Sequence, residues 1–316
     1  MAVYDSPAFI AKKACKPLLL GGKPVDPISY ITEAARSAPI TMIDEGHGEP
    51  LTRYFDEQVA TALRPLGYGV YAAETFDKDI GEIGPSVPLY SDGYYSREPT
   101  YGRLIRKLRA LGFHLAPYEA DFAAIAEKYG PRDREAPRRM EQAANLAAQV
   151  KRQSSRLLVH AGEGNHSEDA RPDRRINMGA RFTQLTGLDP LTVEAIAFEA
   201  PGKTAVICDP EDFAGQPHAF DIHVALPRVI FEQGRPTWRV QAGDHYAEVP
   251  MALRRLDQIA VYEARPAGER TDSVPMDRLL LRPAENLPLL LPPGRYDVSV
   301  WTEKDGWSDN VTIAVR

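Results

Sequence analysis

The sequence predicts an α/β protein: a mainly parallel sheet flanked by helices, followed by a smaller, mainly β C-terminal region. Three observations predict it. Short apolar runs alternate with amphipathic stretches of helical period, the signature of βαβ units. Those runs are almost continuously apolar, as strands covered on both faces must be. After Pro201-Gly202 the texture changes to short β-rich runs separated by Pro- and Gly-containing turns.

Residues 1–27 are rich in Pro, Lys and Gly and read as an irregular arm. An α/β domain carrying the candidate site is expected over 28–200 and a mainly β region over 201–316. Within the first domain, strands are expected at Pro39–Asp44, Gly69–Glu74, Phe113–Tyr118, Arg156–Ala161 and Leu191–Phe198. Helices are expected at Leu51–Leu63, Tyr101–Leu111, Arg138–Val150 and Met178–Leu185, where apolar residues recur on one face. The later region offers strands at Thr204–Cys208, Phe220–Leu226, Trp238–Val240, Ile259–Tyr262, Leu279–Leu281, Tyr296–Trp301 and Val311–Val315. One helix, Met251–Gln258, interrupts them, so the region is either a separate domain or an antiparallel extension of the sheet.

Composition narrows the function classes. The net charge of −6 lacks the clustered excess of Lys and Arg that a nucleic-acid footprint needs, and the basic run Arg171 to Arg175 is broken by an acid. No apolar run approaches the ~18 residues of a membrane-spanning helix. Cys15 and Cys208 allow one disulfide but no disulfide framework and no cysteine-rich zinc site. Lys12, Lys13 and Lys16 lie near the N-terminus without an apolar segment of signal-peptide type, so the cytoplasm is the expected compartment. A chain whose signal peptide had been removed would read the same way and sit in the periplasm.

Ligands of parallel α/β sheets bind at the carboxyl ends of the strands, and ionisable residues fall there repeatedly. Asp44-Glu45-Gly46-His47-Gly48-Glu49 follows the first strand, Glu74 the second and Glu119 the third. The fourth delivers His160-Ala-Gly162-Glu-Gly164-Asn-His166. Charges so placed are paired or functional, because burying them otherwise is costly. His47 between two glycines reads as a presented side chain, against the alternative of a turn residue. Glu119 equally suits a helix cap, His160 a satisfied core histidine, and Arg134, Glu135 and Arg138 a solvated first helical turn. Tyr90, Tyr94, Tyr95 and Tyr101 suit either a lid over the pocket or ordinary loop packing. There is no G-x-S-x-G, H-E-x-x-H or phosphate-loop pattern.

Ile43-Asp-Glu45-Gly-His47-Gly-Glu-Pro50 followed by Ala-Ala-Glu74 resembles the opening of erythromycin-esterase-like and ChaN-like proteins. Arg134-Glu135 with Gln142-Ala-Ala-Asn145-Leu146 resembles their Arg-Glu…Asn-Leu helix, and His160-Ala-Gly162…His166 their later histidine loop. The likeness covers roughly residues 36–200 and is closer to uncharacterised bacterial proteins that continue through Asp221-Ile-His223 and Pro227-Arg228. It implies a histidine–carboxylate site. Its members are mixed: esterases that open a macrolide lactone with a histidine base, haem-binding uptake proteins, and more remote TIKI and TraB-type metal-dependent proteases. No large helical insertion is present here to cover a macrolide.

The expectation is hydrolysis of an ester or amide in a small molecule or peptide, with no covalent intermediate and no required cofactor. His47 is the general base, since an imidazole with pKa ~6.5 suits neutral-pH proton abstraction. Glu74 or Glu45 orients it, and Arg134 or His166 meets the developing oxyanion or a substrate carboxylate. Glu135, Glu119, His160 and Tyr95 complete the expected binding surface. A divalent metal held among Glu45, His47, Glu74, His160 and His166 is the rival enzymatic expectation. Binding of haem or another small ligand without catalysis is the non-enzymatic one.

Overall fold

Ile40-Thr-Met-Ile-Asp-Glu45 is buried along its whole length, as a central strand covered on both faces must be. In the computed structural model, which describes residues 12–80, 87–130, 134–152, 155–170, 176–213 and 219–316, this strand lies in the middle of an eight-stranded sheet. Its strands are β1 (Lys13–Ala14), β2 (Ile40–Glu45), β3 (Tyr68–Ala73), β4 (His114–Pro117), β5 (Arg156–Gly162), β6 (Leu191–Glu199), β7 (Val206–Ile207) and β8 (Ile222–Leu226). Their spatial order is β4-β3-β5-β2-β6-β8-β7, with β1 alongside β6. The pairings are parallel except β7 on β8.

The register aligns the strand ends that matter. Glu45 of β2 is level with Gly162 of β5, and Ala73 of β3 is level with both His160 of β5 and Pro117 of β4. Each strand sends alternate side chains to opposite faces. On one face α1 (Pro27–Ala34), α2 (Pro50–Leu63) and α3 (Pro99–Ala110) pack Ile31, Phe55, Leu63 and Leu104 against Ile43, Tyr71 and Leu158. On the other, α5 (Glu135–Arg152) and α6 (Met178–Thr186) pack Leu146 and Phe182 against Met42, Val70 and Val159, with α4 (Phe122–Tyr129) against α5. Pro50 and Pro99 each open a helix, where a fixed φ is helical and no amide hydrogen is wanted.

Membership of this sheet crosses residue 200, since β7 and β8 both belong to it. Beyond it lie α7 (Thr237–Gln241) and an antiparallel sheet of β10 (Ala260–Pro266) between β11 (Asp277–Leu281) and β13 (Gly294–Thr302), with β14 (Val311–Val315) on β13. A separate pair joins β9 (His245–Ala247) to β12 (Leu289–Leu291). Val249, Tyr262, Leu279, Leu291 and Val298 form a core of their own there.

Several expectations need correction. Trp238–Val240 is helical, because adjacent Trp238 and Arg239 both turn inward, Arg239 to reach Asp244 and Asp277; a strand would send them to opposite sides. Met251–Gln258 forms no helix beyond a 3₁₀ turn at Met251–Leu253, where Leu253 alone is buried, so there is no apolar stripe to drive it. The arm is not wholly irregular: Lys13 and Ala14 pair with Phe198 and Glu199. Leu19–Leu20 and Lys23–Pro24 form a hairpin around Gly21 and Gly22, whose φ of 60° and 79° suit a two-residue turn. Cys15 is disulfide-bonded to Cys208, Cα atoms 5.5 Å apart. Residues 1–11 and the run Arg171 to Arg175 lie outside the described residues. No helix among the described residues is long and apolar enough to cross a membrane.

Candidate active site

Glu45 ends β2 on the α2 side of the sheet, and Glu74 follows β3 on the α5 side. His47 bridges them across the carboxyl edge. Its Nδ1 is 2.9 Å from Glu45 Oε1, and its Nε2 is 3.7 Å from Glu74 Oε1. The first is a hydrogen bond; the second is too long for one, and short enough for one water or substrate oxygen lying beside the pair to hydrogen-bond both. Gly162, level with Glu45, makes the room. A Cβ there would stand 2.6 Å from His47 Cε1 and 2.8 Å from Nε2. The Tyr95 ring stacks on the imidazole at 4.0 Å and 14°. His47 keeps 31% of its side-chain surface exposed and Glu74 keeps 10%, so this edge is reached from solvent.

The orienting carboxylate is itself locked. Arg53, from the first turn of α2, sets Nε 2.5 Å from Glu45 Oε2 and Nη1 2.9 Å from Glu98 Oε2, and donates through Nη2 to the His47 carbonyl. Glu98 also accepts from the Thr100 and Tyr101 amides at the start of α3. Burial pushes the Glu45 carboxyl up, but the Arg53 guanidinium and the His47 hydrogen bond outweigh it and hold the pKa at about 2. Glu45 is therefore an anion throughout the working range. Burial lowers the His47 pKa, yet the hydrogen bond and charge of Glu45, with Glu74 beyond, raise it above the usual 6.5. Glu74 is raised in turn, by burial more than its neighbours Arg138 and His47 lower it.

Behind Glu74 lies a polar stripe of α5. Arg138 sits 3.6 Å from Glu74 and grips Glu119 with both Nε (3.0 Å) and Nη2 (2.5 Å). Gln142 donates to Glu119, and Asn145 to the Tyr118 and Glu119 carbonyls. Asn165 donates to both Gln142 and Glu74. Glu119 is thus the anchor of Arg138 rather than a free binding group.

Four further expectations are corrected. His166 does not join the cluster: it is fully buried, its Nε2 bonds the Val193 carbonyl and its ring packs on Phe220. Turns closed by Asn165 N on Gly162 O and Ser167 N on Gly164 O swing it under the sheet edge. Glu135 is nearly half exposed in the first turn of α5, with Arg139 3.7 Å away. Arg134 precedes that helix, and Arg138, one turn on, is the cation beside Glu74. His160 lies below Glu45 at 4.0 Å, 2% exposed, with Nδ1 on the Tyr101 hydroxyl and Nε2 3.6 Å from Asp56, to which Tyr71 donates. It supports the site from beneath and presents nothing to a substrate. Of the tyrosines, Tyr95 covers His47, Tyr101 is buried and Tyr94 is exposed. Among the described residues no group of three or more His, Cys, Asp or Glu side chains is arranged to hold a metal ion.

Burial holds the pKa of His160 down to about 4 and that of His166 to about 3. Their folded values lie below the usual 6.5, so each adds stability that is complete above pH 6.5 and is lost as pH falls toward those values. By nitrogen-15 NMR, both rings are expected to stay neutral at pH 5, while His47 is already protonated. A titration of either buried ring near 6.5 would contradict this burial.

Arg53 and Asp56 stand outside the site expected from sequence, although they carry a signal: both fall on the buried stripe of α2 with Thr52, Val59, Ala60 and Leu63. A charge at a core position of an amphipathic helix marks a paired or functional group. Arg138, Gln142 and Asn145 likewise share one face of α5.

No family model matches this chain, and no curated protein matches it. Among solved structures the type III effector HopBA1 is similar at a TM-score of 0.40 and 16% identity, the match covering 64% of this chain and 93% of that one.

Proposed function

We propose that the chain hydrolyses ester or amide bonds, with His47 as general base and without a covalent intermediate. The observation that carries this is the line Arg53–Glu45–His47–Glu74, in which Nδ1 is tied to a permanent anion and Nε2 faces a gap of 3.7 Å. Glu45 fixes the ring and its tautomer and stabilises the imidazolium that forms on proton transfer. A water beside the pair, hydrogen-bonded to both, gives one proton to Nε2 and keeps the other in a hydrogen bond to Glu74 while its oxygen adds to a carbonyl on the open side. As the scissile C–O or C–N bond then breaks, the imidazolium returns its proton to the departing alkoxide or amine. Arg138 and Asn165 keep Glu74 in place. No serine or cysteine takes part. The resemblance to histidine-dependent esterases supports the same assignment.

Activated esters, peptides and simple amides form the test panel, with intact mass spectrometry of the acid-quenched protein. Turnover without an acyl adduct is the expected result. An acyl-protein peak, or no turnover across the panel, would overturn the reading. The base must be unprotonated to act, and Glu45 and Glu74 raise its pKa. The kcat/KM profile is therefore expected to rise with pH through a value above 6.5. A limb at or below that value would contradict the assignment.

A further inference from the structure

The segment from Pro88 to Glu98 touches His47 at one end and the C-terminal β region at the other. Tyr94 N donates to the Thr75 carbonyl and Tyr95 N to Thr75 Oγ1, one residue past Glu74. Glu98 holds Arg53. At the other end, Tyr90 N donates to Asp272 O and Val274 N to Pro88 O. The Tyr90 hydroxyl is the hub of a charged cluster: it donates to Glu263 Oε1 at 2.9 Å and accepts from Arg265 at 2.9 Å and Arg278 at 2.5 Å. Glu263 ties the two arginines together, at 2.6 Å each. Both guanidiniums also lie over the Tyr90 ring, at 5.8 and 5.5 Å from its centre. Arg278 reaches on to the Arg97 carbonyl.

Packing alone would not need this. A tyrosine hydroxyl with three charged partners, two of them nine-tenths buried, fixes the segment in angle as well as position. Five residues further along, the same segment lays Tyr95 flat on the imidazole. We infer that the C-terminal β region belongs to the catalytic apparatus, with Tyr90, Glu263 and Arg278 as positioning residues that set Tyr95 on His47 and so aim Nε2 at the gap before Glu74. The inference rests on His47 being the base. Its magnitude follows from geometry, since misplacing a reacting group by about 1 Å costs up to ~100-fold in rate; loss of one hub bond is expected to cost about tenfold.

The ring current of Tyr95 gives a readout that needs no substrate. Tyr90→Phe keeps the ring beneath the guanidiniums and removes the hydroxyl. The His47 ring-proton resonances are expected to move toward those of Tyr95→Leu, kcat to fall about tenfold with KM little changed, and the double variant to add almost nothing to Tyr95→Leu alone. Arg278→Gln, at a side chain 23% exposed, is the second variant and is expected to shift the same resonances. His47 resonances unmoved in either folded variant, whatever happens to Tm, overturn the inference. Normal turnover with unmoved resonances removes the positioning role and leaves the hydrolase reading standing. Moved resonances in a protein that hydrolyses nothing do the reverse.

Discussion

His47→Ala is expected to lower kcat on a hydrolysed ester or amide by at least ~100-fold, the usual worth of a positioned base, with KM within a few-fold of the parent. The effect belongs to chemistry and not to folding: the His47 side chain is 31% exposed, and Glu45 retains its bond to Arg53 when the imidazole is gone. The residual rate should lose the limb assigned to the base and rise instead with hydroxide. Matched Tm values for the two proteins make the comparison clean. An unchanged kcat in a folded variant removes His47 from the reaction, and Glu74 would then be the candidate base.

Arg53→Met carries the largest expected loss of stability, about 3–5 kcal/mol, because it strands a buried carboxylate. Arg53 and Glu45 are each 2% exposed. With the guanidinium present, the Glu45 pKa is about 2 in place of the usual 4.5, so the pair contributes stability that is complete above pH 4.5 and is lost as pH falls toward 2. Without it, burial is opposed only by the His47 hydrogen bond and the nearby His160, and the Glu45 pKa rises. The deficit of the variant should therefore be greatest at neutral pH and shrink in acid, where Glu45 takes up a proton and ceases to be a stranded charge. Urea midpoints of both proteins at pH 7 and pH 4.5 give the two differences. Equal deficits at both pH values would mean that lost packing, not charge, explains the effect.

What could be read from the sequence and what could not divides along physical lines. The parallel sheet was legible because its strands are buried on both faces, so Ile40-Thr-Met-Ile43, in which only Thr41 is polar, stays uncharged until it reaches the functional edge. Glu45, His47 and Glu74 were legible for the same reason, each standing where an apolar run stops. His166 was not, since two turns hinging at Gly162 and Gly164, the latter at φ 67°, reverse the chain there, and spacing does not say which way a loop side chain faces. Arg134 and Arg138 are one helical turn apart, and nothing in the sequence fixes the rotation of α5 against β3. The short helices α1 and α4 span eight residues each and carry little periodicity to detect. For Tyr90 the sequence leaves a lid and ordinary loop packing both open, because its partners lie more than 170 residues away in a region with its own core.

The Cys15–Cys208 bond makes a macrocycle of the intervening chain. Glu45, His47, Arg53, Glu74, Tyr95, Arg138 and Asn165 all lie inside it, so one backbone cut anywhere within the ring leaves the reacting groups on a single covalent piece. Glu263, Arg265 and Arg278 lie outside, tethered through the stretch between Leu226 and His245. A nick in that stretch leaves the ring and the Tyr90 hub joined by noncovalent contacts alone, so that proteolysis there could disarm the centre without cutting any of its residues.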